Sequence, residues 1–366
     1  MMRINIAKPD ISEEEIEAVI DVMRSGMIAS GPQTINFENE FAEYVGCKYA
    51  CAVNNGTSAL SLALSALGIG PGDEVITTPF TFVATANAIL SCGARPVFAD
   101  IDSETYNLSP ESVESAITES TRAIMPVHLY GLPAEMGRFR EIGEERGLAI
   151  VGDAAQAHGA AIGGEKVGSL GDVECFSFYP TKNMTTAEGG MVTTNNLNLF
   201  KRMDSIRNHG RPNSKLGVYE HERFGLNLRL TDIGSAIGRV QLKKLSELNK
   251  KRRENTRVLS ESLKTIGDSV PLPSEPEGFT HAWHQYTIQV PNRKSLVEFL
   301  NTKGIGCGIY YPRLIYDYPH LQRFKTECGN AESVVGRVIS LPIHPGLSKE
   351  EIEEVGDAVT NWISME

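Results

Sequence analysis

The sequence predicts an α/β protein organised around a mostly parallel sheet, followed by a smaller C-terminal α+β domain. Short apolar runs alternate with helix-period segments between Lys48 and Val127, the pattern of a sheet covered by helices on both faces. After Thr231 the alternation gives way to a long, increasingly basic helical pattern through Lys250-Lys251-Arg252-Arg253. At 366 residues the chain also exceeds the length at which a single core usually stops growing, so one large and one smaller domain are expected.

Taken in order, Ser12-Glu13-Glu14-Glu15 ahead of an apolar-periodic stretch forms a capping box, and Gly26 closes the helix it starts. Strands are expected over 49–53, 74–77 and 96–99, with helices over 58–67 and 81–90 between them. Ser109-Pro110 opens another helix, with proline at the first helical position, where its missing donor costs little. Residues 123–127 and 148–152 read as buried strands around a helix over 134–146. Two apolar runs within 173–194 enclose a polar loop containing Lys182, and loops at strand ends are where such a sheet carries its chemistry. Beyond Gly267 a Pro-rich stretch ends near Gly278. The large domain is expected over 1–245, and the smaller over 246–366, entered by the long helix. The smaller domain offers an amphipathic strand over 283–290, a helix ending at Gly304, and a terminal helix opened by the capping box from Ser348 to Glu351.

Composition narrows the function classes. Hydrophobic residues make up 41% and charged residues 22%, which argues for a globular, soluble chain and against disorder. A formal charge of -11 makes nucleic acid an unsuitable partner and requires any anionic substrate to meet a local cluster of cations. Cys47, Cys51, Cys92, Cys175, Cys307 and Cys328 have no CxxC pairing and suit free thiols in a reducing cytoplasm. No apolar run approaches a membrane span, and no signal peptide or metal site is read.

Three segments can carry chemistry. Asn54-Asn55-Gly56-Thr57-Ser58 lies between a strand and a helix, where amides, the helix dipole and two hydroxyls serve either simple capping or a phosphate cradle. Asp153 stands at the carboxyl end of a buried strand, as a turn residue or as an acid that keeps a ring nitrogen protonated. Lys182 occupies the loop after Phe176-Ser177-Phe178-Tyr179-Pro180-Thr181, as a solvated charge or as an amine fitted by burial for Schiff-base work. His128 and His209 read as structural hydrogen-bonding groups.

Together with Gly72-Asp73-Glu74-Val75-Ile76, Val127-His128-Leu129-Tyr130-Gly131, Glu188-Gly189-Gly190, the segment from Asn227 to Asp232, and Tyr310-Tyr311-Pro312, these landmarks resemble the DegT/DnrJ/EryC1/StrS family over almost the whole chain. The family comprises sugar aminotransferases that use pyridoxal 5'-phosphate (PLP) and have the aspartate aminotransferase (type I) fold. The resemblance implies Lys182 as the cofactor lysine and proton shuttle, Asp153 as the acid on the ring nitrogen, and Phe82 stacked on the ring. It implies Gln156 near the phenolic oxygen, and Gly56, Thr57, Ser58 and Ser177 around the phosphate. Asn227 is similar to the asparagine that reaches the neighbouring subunit's cofactor, so a homodimer with shared sites is implied. Arg229, Tyr311 and Arg313, with Arg207 and Arg211 nearby, are the candidates for the substrate side.

The chain departs from the family pattern at Gly152, where many relatives have Glu, and at Tyr179 and Ala187, which replace a common His and Gly. Tyr311-Pro312-Arg313-Leu314-Ile315-Tyr316 differs from a common Pro-Leu-His run near the sugar, so substrate identity stays open. The implied reaction is ping-pong transfer of an amino group from glutamate or glutamine to the keto group of a nucleotide-linked sugar. A cyclitol aminotransferase and a PLP-dependent sugar dehydratase compete with it, although Lys182 argues against the dehydratase, in which histidine replaces the lysine. A non-enzymatic PLP-binding regulator is the alternative from another class.

Overall fold

The computed structural model of the chain describes residues 2–212, 220–264, 266 and 270–365. Gly267, from which the Pro-rich stretch is read, lies outside the described residues. The chain opens with α1 (Glu13–Ser25), capped reciprocally by Ser12 and Glu15 and closed by Gly26 in the left-handed region, and continues into α2 (Pro32–Val45). Next come β1 (Tyr49–Val53), α3 (Gly56–Leu67), β2 (Glu74–Thr77), α4 (Ala84–Ser91), β3 (Arg95–Phe98), α5 (Pro110–Ala116), β4 (Thr121–Met125), α6 (Met136–Arg146) and β5 (Ala149–Asp153). A small hairpin, β6 (Ala161–Ile162) and β7 (Glu165–Lys166), leads to β8 (Val173–Ser177), β9 (Gly190–Thr194) and α7 (Leu197–Arg207).

These strands form a seven-stranded sheet in the order β1-β9-β8-β5-β4-β2-β3. Its pairs are parallel from β3 through β8, and β9 runs antiparallel to both neighbours. Alternate residues of each strand enter two separate cores, as a pleated sheet buried on both faces requires. Ala52, Ile76, Ile150 and Phe176 join Phe37, Phe41 and Phe178 on one face. Val53, Val75, Val151 and Cys175 join Leu62, Leu64 and Met203 on the other.

The expected long helix is α8 (Asp232–Leu263), 32 residues, or about 48 Å at 1.5 Å per residue. Its Leu242 and Leu245 pack in the large core, whereas Leu259 and Leu263 pack in a third cluster built by the C-terminal elements. Those elements are β10 (Phe279–Thr280), β11 (Tyr286–Gln289), α9 (Arg293–Thr302), α10 (Gly329–Val335), β12 (Val338–Leu341) and α11 (Lys349–Ile363). The chain's first residues complete this third cluster: Ile4 is fully buried in it and bridges Ile305 in parallel, with Gly306 N–H donating to the Ile4 carbonyl at 2.7 Å.

Of the boundaries that differ from the sequence reading, three matter most. The helix expected over 81–90 begins only at Ala84, which leaves Phe82 in the loop after β2. The strand expected over 123–127 runs from Thr121 to Met125, so His128 lies beyond its end. The strand expected from 283 starts at Tyr286, because Trp283 has φ +50° and cannot sit in an extended ladder.

Candidate active site

The carboxyl ends of β1, β2, β4, β5 and β8 open onto one cavity of about 580 Å³. This is where an open parallel sheet positions ligands, because the strand-end loops diverge there and helix N-termini point inward. Asp153 ends β5 and is buried at the cavity floor; Lys182 reaches the same cavity from the loop after β8.

Asp153 is held from several sides. Its Oδ2 accepts the Thr85 hydroxyl at 2.8 Å, its Oδ1 accepts the Ala155 N–H at 3.2 Å, and its own N–H donates to the Pro126 carbonyl at 2.8 Å. Burial pushes its carboxyl above the usual range, while Thr85, Ala155 and nearby Lys182 oppose that rise. Burial lowers the Lys182 amine to about 8, against a smaller opposing pull from Asp153. At neutral pH a usable fraction is therefore neutral, as a nucleophile and proton carrier needs. The imidazole of His284, also at the cavity, is held neutral by burial, as is that of buried His158.

At the other end of the cavity α3 begins. Asn55 caps it by accepting the Ser58 N–H at 2.8 Å, so the remaining first-turn amides, those of Gly56 and Thr57, face outward without an intrahelical acceptor. Gly56 permits this closeness: a Cβ there would stand 2.7 Å from the Ser177 Cβ. Gly56, Thr57 and Ser177 line the cavity together, whereas Ser58 lines the adjoining surface depression.

Phe82 lies 57% exposed at the cavity wall, its ring centroid 6.0 Å from that of Tyr311. Gln156 donates to the Tyr311 hydroxyl at 3.0 Å and accepts the Tyr130 N–H at 2.7 Å. Arg313 also lines the cavity, its guanidinium 5.5 Å from the Tyr318 ring centroid.

Other sequence candidates are not gathered here. Arg229 lies outside the cavity and donates to Asn208 Oδ1 at 2.7 Å. Arg207 is buried against Glu38 and Asp204 and donates to the Ala52 carbonyl at 2.7 Å, so it is a structural cation. Asn227 is exposed, away from this subunit's cavity, and Arg211 and His209 do not line it either. Sequence reasoning missed Thr85, Tyr318 and Gln285. The density of polar and aromatic residues in His281-Ala282-Trp283-His284-Gln285, unusual for a buried segment, was the available signal for the last.

The residues present fit PLP. A buried acid, a half-buried amine of lowered pKa, an uncovered aromatic face and a helix N-terminus with two free-facing amides surround a space of suitable size.

The family model of the DegT/DnrJ/EryC1/StrS aminotransferase family matches residues 9–360. UDP-N-acetyl-3-dehydro-alpha-D-glucosamine 3-aminotransferase of Acidithiobacillus ferrooxidans is 39% identical, covering 95% of this chain and 94% of that one. DesV of S. venezuelae superposes with a TM-score of 0.90 at 38% identity, covering 96% of this chain and 94% of that one. The putative sugar aminotransferase Spr1654 of Streptococcus pneumoniae is known in PLP and PMP forms; the PLP form gives a TM-score of 0.93 at 28% identity over 99% of both chains. The match to the whole length of the fold, with the cofactor chemistry gathered in one cavity, makes this chain a member of the DegT/DnrJ/EryC1/StrS aminotransferase family, with PLP as its cofactor.

Proposed function

We propose that the chain transfers an amino group from glutamate or glutamine to the keto group of a sugar carrying a nucleoside diphosphate, as a cytoplasmic homodimer with shared sites. The observation that carries this reading is the convergence of Lys182, Asp153 and the Gly56-Thr57-Ser177 cup on one cavity with Arg313 in its wall. Bound PLP supplies a protonated ring that accepts an electron pair from the reacting carbon. Asp153 holds the proton at the ring nitrogen. Lys182 Nζ carries the cofactor and moves a proton to and from the reacting carbon, a task suited to an amine near pKa 8. The first-turn amides of α3 and the Ser177 hydroxyl orient the phosphate, and Phe82 keeps water from one ring face.

Lys182 and Arg313 are the lysine and arginine lining the cavity among the described residues, and Lys182 is committed to the cofactor. Arg313 is thus the cation placed to meet an anionic acceptor in a chain of charge -11. The nucleotide-sugar name of the A. ferrooxidans relative supports the same class of acceptor. A homodimer is supported by exposed apolar side chains at and beside the cavity, Phe224 at 82%, Leu226, Tyr179 and Phe82, and by an exposed Asn227 that does not line its own subunit's cavity. Six free cysteines suit a reducing compartment, and no helix among the described residues is long and apolar enough to cross a membrane.

The test is to load the enzyme with the amino form of the cofactor using glutamate, offer a panel of keto nucleotide-sugars, and identify the product by mass spectrometry. Amination of at least one nucleotide-sugar is expected. Enzyme that ignores the whole panel yet aminates a free keto sugar or cyclitol would overturn the acceptor assignment.

A further inference from the structure

Glu174, the second residue of β8, is fully buried, a costly place for a carboxyl group. Its register partner on β5 is Gly152, the residue before Asp153. Its Oε2 lies 3.0 Å from Nε2 of His128, which follows β4. Because β5 lies between β8 and β4, this side chain crosses over the strand that carries Asp153 and is anchored on its far side. The crossing requires glycine at 152: a Cβ there would overlap the Glu174 carboxylate.

The polarity of the bridge is set locally. His128 Nδ1 accepts the Ala134 N–H at 3.0 Å, so that nitrogen carries no proton and Nε2–H donates to Glu174. The backbone N–H of His128 donates to the Asp153 carbonyl at 3.0 Å. One histidine therefore grips both the bridge and Asp153, the residue that follows the glycine the bridge passes. Packing alone gives no reason for the arrangement, since apolar residues in place of a buried polar pair are often neutral or stabilising. Glu174 Oε1 even lacks a hydrogen-bond partner.

We propose that Glu174 and His128 are positioning residues, a strut that fixes the end of β5 and thereby aims the Asp153 carboxyl at the cofactor ring. This rests on the reading of Asp153 as the ring acid. Displacing a catalytic group by a fraction of an ångström costs catalysis far more than it costs folding.

The experiment uses PLP-loaded enzyme and compares Glu174→Met, Glu174→Gln, Gly152→Ala and Asp153→Ala by melting temperature, absorption spectrum of the bound cofactor across pH, PLP dissociation constant, and kcat and KM for glutamate. Glu174→Gln keeps an oxygen acceptor for His128 and should stay within about twofold of the parent throughout. Glu174→Met leaves the His128 Nε2–H buried without an acceptor, so it should still fold with a melting temperature several degrees lower, lose roughly tenfold in kcat, shift the cofactor spectrum's pH dependence, and leave KM within about twofold. Gly152→Ala reaches the same strut by collision and should reproduce that signature. Glu174→Met with the parent's spectrum and kcat, beside an impaired Asp153→Ala, would overturn the strut while sparing the role of Asp153. An Asp153→Ala variant as active as the parent would instead overturn the reading on which the strut rests.

Discussion

The Thr85 hydroxyl donates to Oδ2 of Asp153 across 2.8 Å, tying the second residue of α4 to the last residue of β5 inside the protein. Burial is the largest influence on Asp153 and raises its pKa, and the Thr85 bond is the largest opposing one. Thr85→Val should therefore raise that pKa further, move the acidic limb of kcat/KM to higher pH, and lower kcat by roughly thirtyfold, the equivalent of a ~2 kcal/mol bond to a charged group. A pH–rate profile of the variant checks both effects.

Lys182 gives a pH signature in the cofactor-free protein. Its folded pKa of about 8 lies below its ordinary 10.5, so between those values the unfolded chain binds a proton that the folded chain does not. Stability should rise with pH across that window by a few kcal/mol, and the cost of burying the charged amine is fully present below pH 8. Lys182→Met should remove the rise, as urea unfolding at several pH values would reveal. In the loaded enzyme, borohydride reduction and peptide mapping should find the pyridoxyl group on Lys182 and on no other lysine.

The arginines separate into two kinds. Arg207→Ala leaves Glu38 buried without its partner and should cost about 3–5 kcal/mol of stability. Arg313→Ala should leave folding intact and raise KM for the acceptor, an effect that shrinks as salt rises, while the glutamate half-reaction is unchanged. Denaturant titration and half-reaction kinetics of the two variants distinguish them.

Shared sites predict complementation. Lys182→Ala and Asn227→Ala subunits, mixed and allowed to exchange, should form hybrid dimers in which one site has both native residues, and activity should rise above that of either variant alone. Activity that stays flat after exchange is verified would assign Asn227 to its own subunit's site.

Local signals made part of this legible. The capping boxes at Ser12 and Ser348 marked α1 and α11 because both partners lie within four residues of sequence. Helix α2 escaped notice because its cap is remote: the N–H groups of Gly31, Gln33 and Thr34 are accepted by Asp232, some 200 residues later. The same limit applied at the site. Lys182 and Asp153 announced themselves at strand ends, but Thr85, Glu174 and the burial of Arg207 depend on which strands become neighbours, a property of the sheet order. Ala187 was visible as a replaced glycine, and only its φ of +67° shows that it occupies a conformation in which glycine would be unstrained.

The pairing of Ile4 with Ile305 sets a timetable for synthesis. The segment around Ile4 waits for one made about 300 residues later, since its partner segment from Gly304 to Gly306 emerges only after the whole seven-stranded sheet has been made. The sheet can assemble during translation, as domains made earlier commonly do. The third core cannot close until the Ile4 segment returns to it, so a bulky insertion beside Ile4 would burden the part of the fold that closes after the sheet.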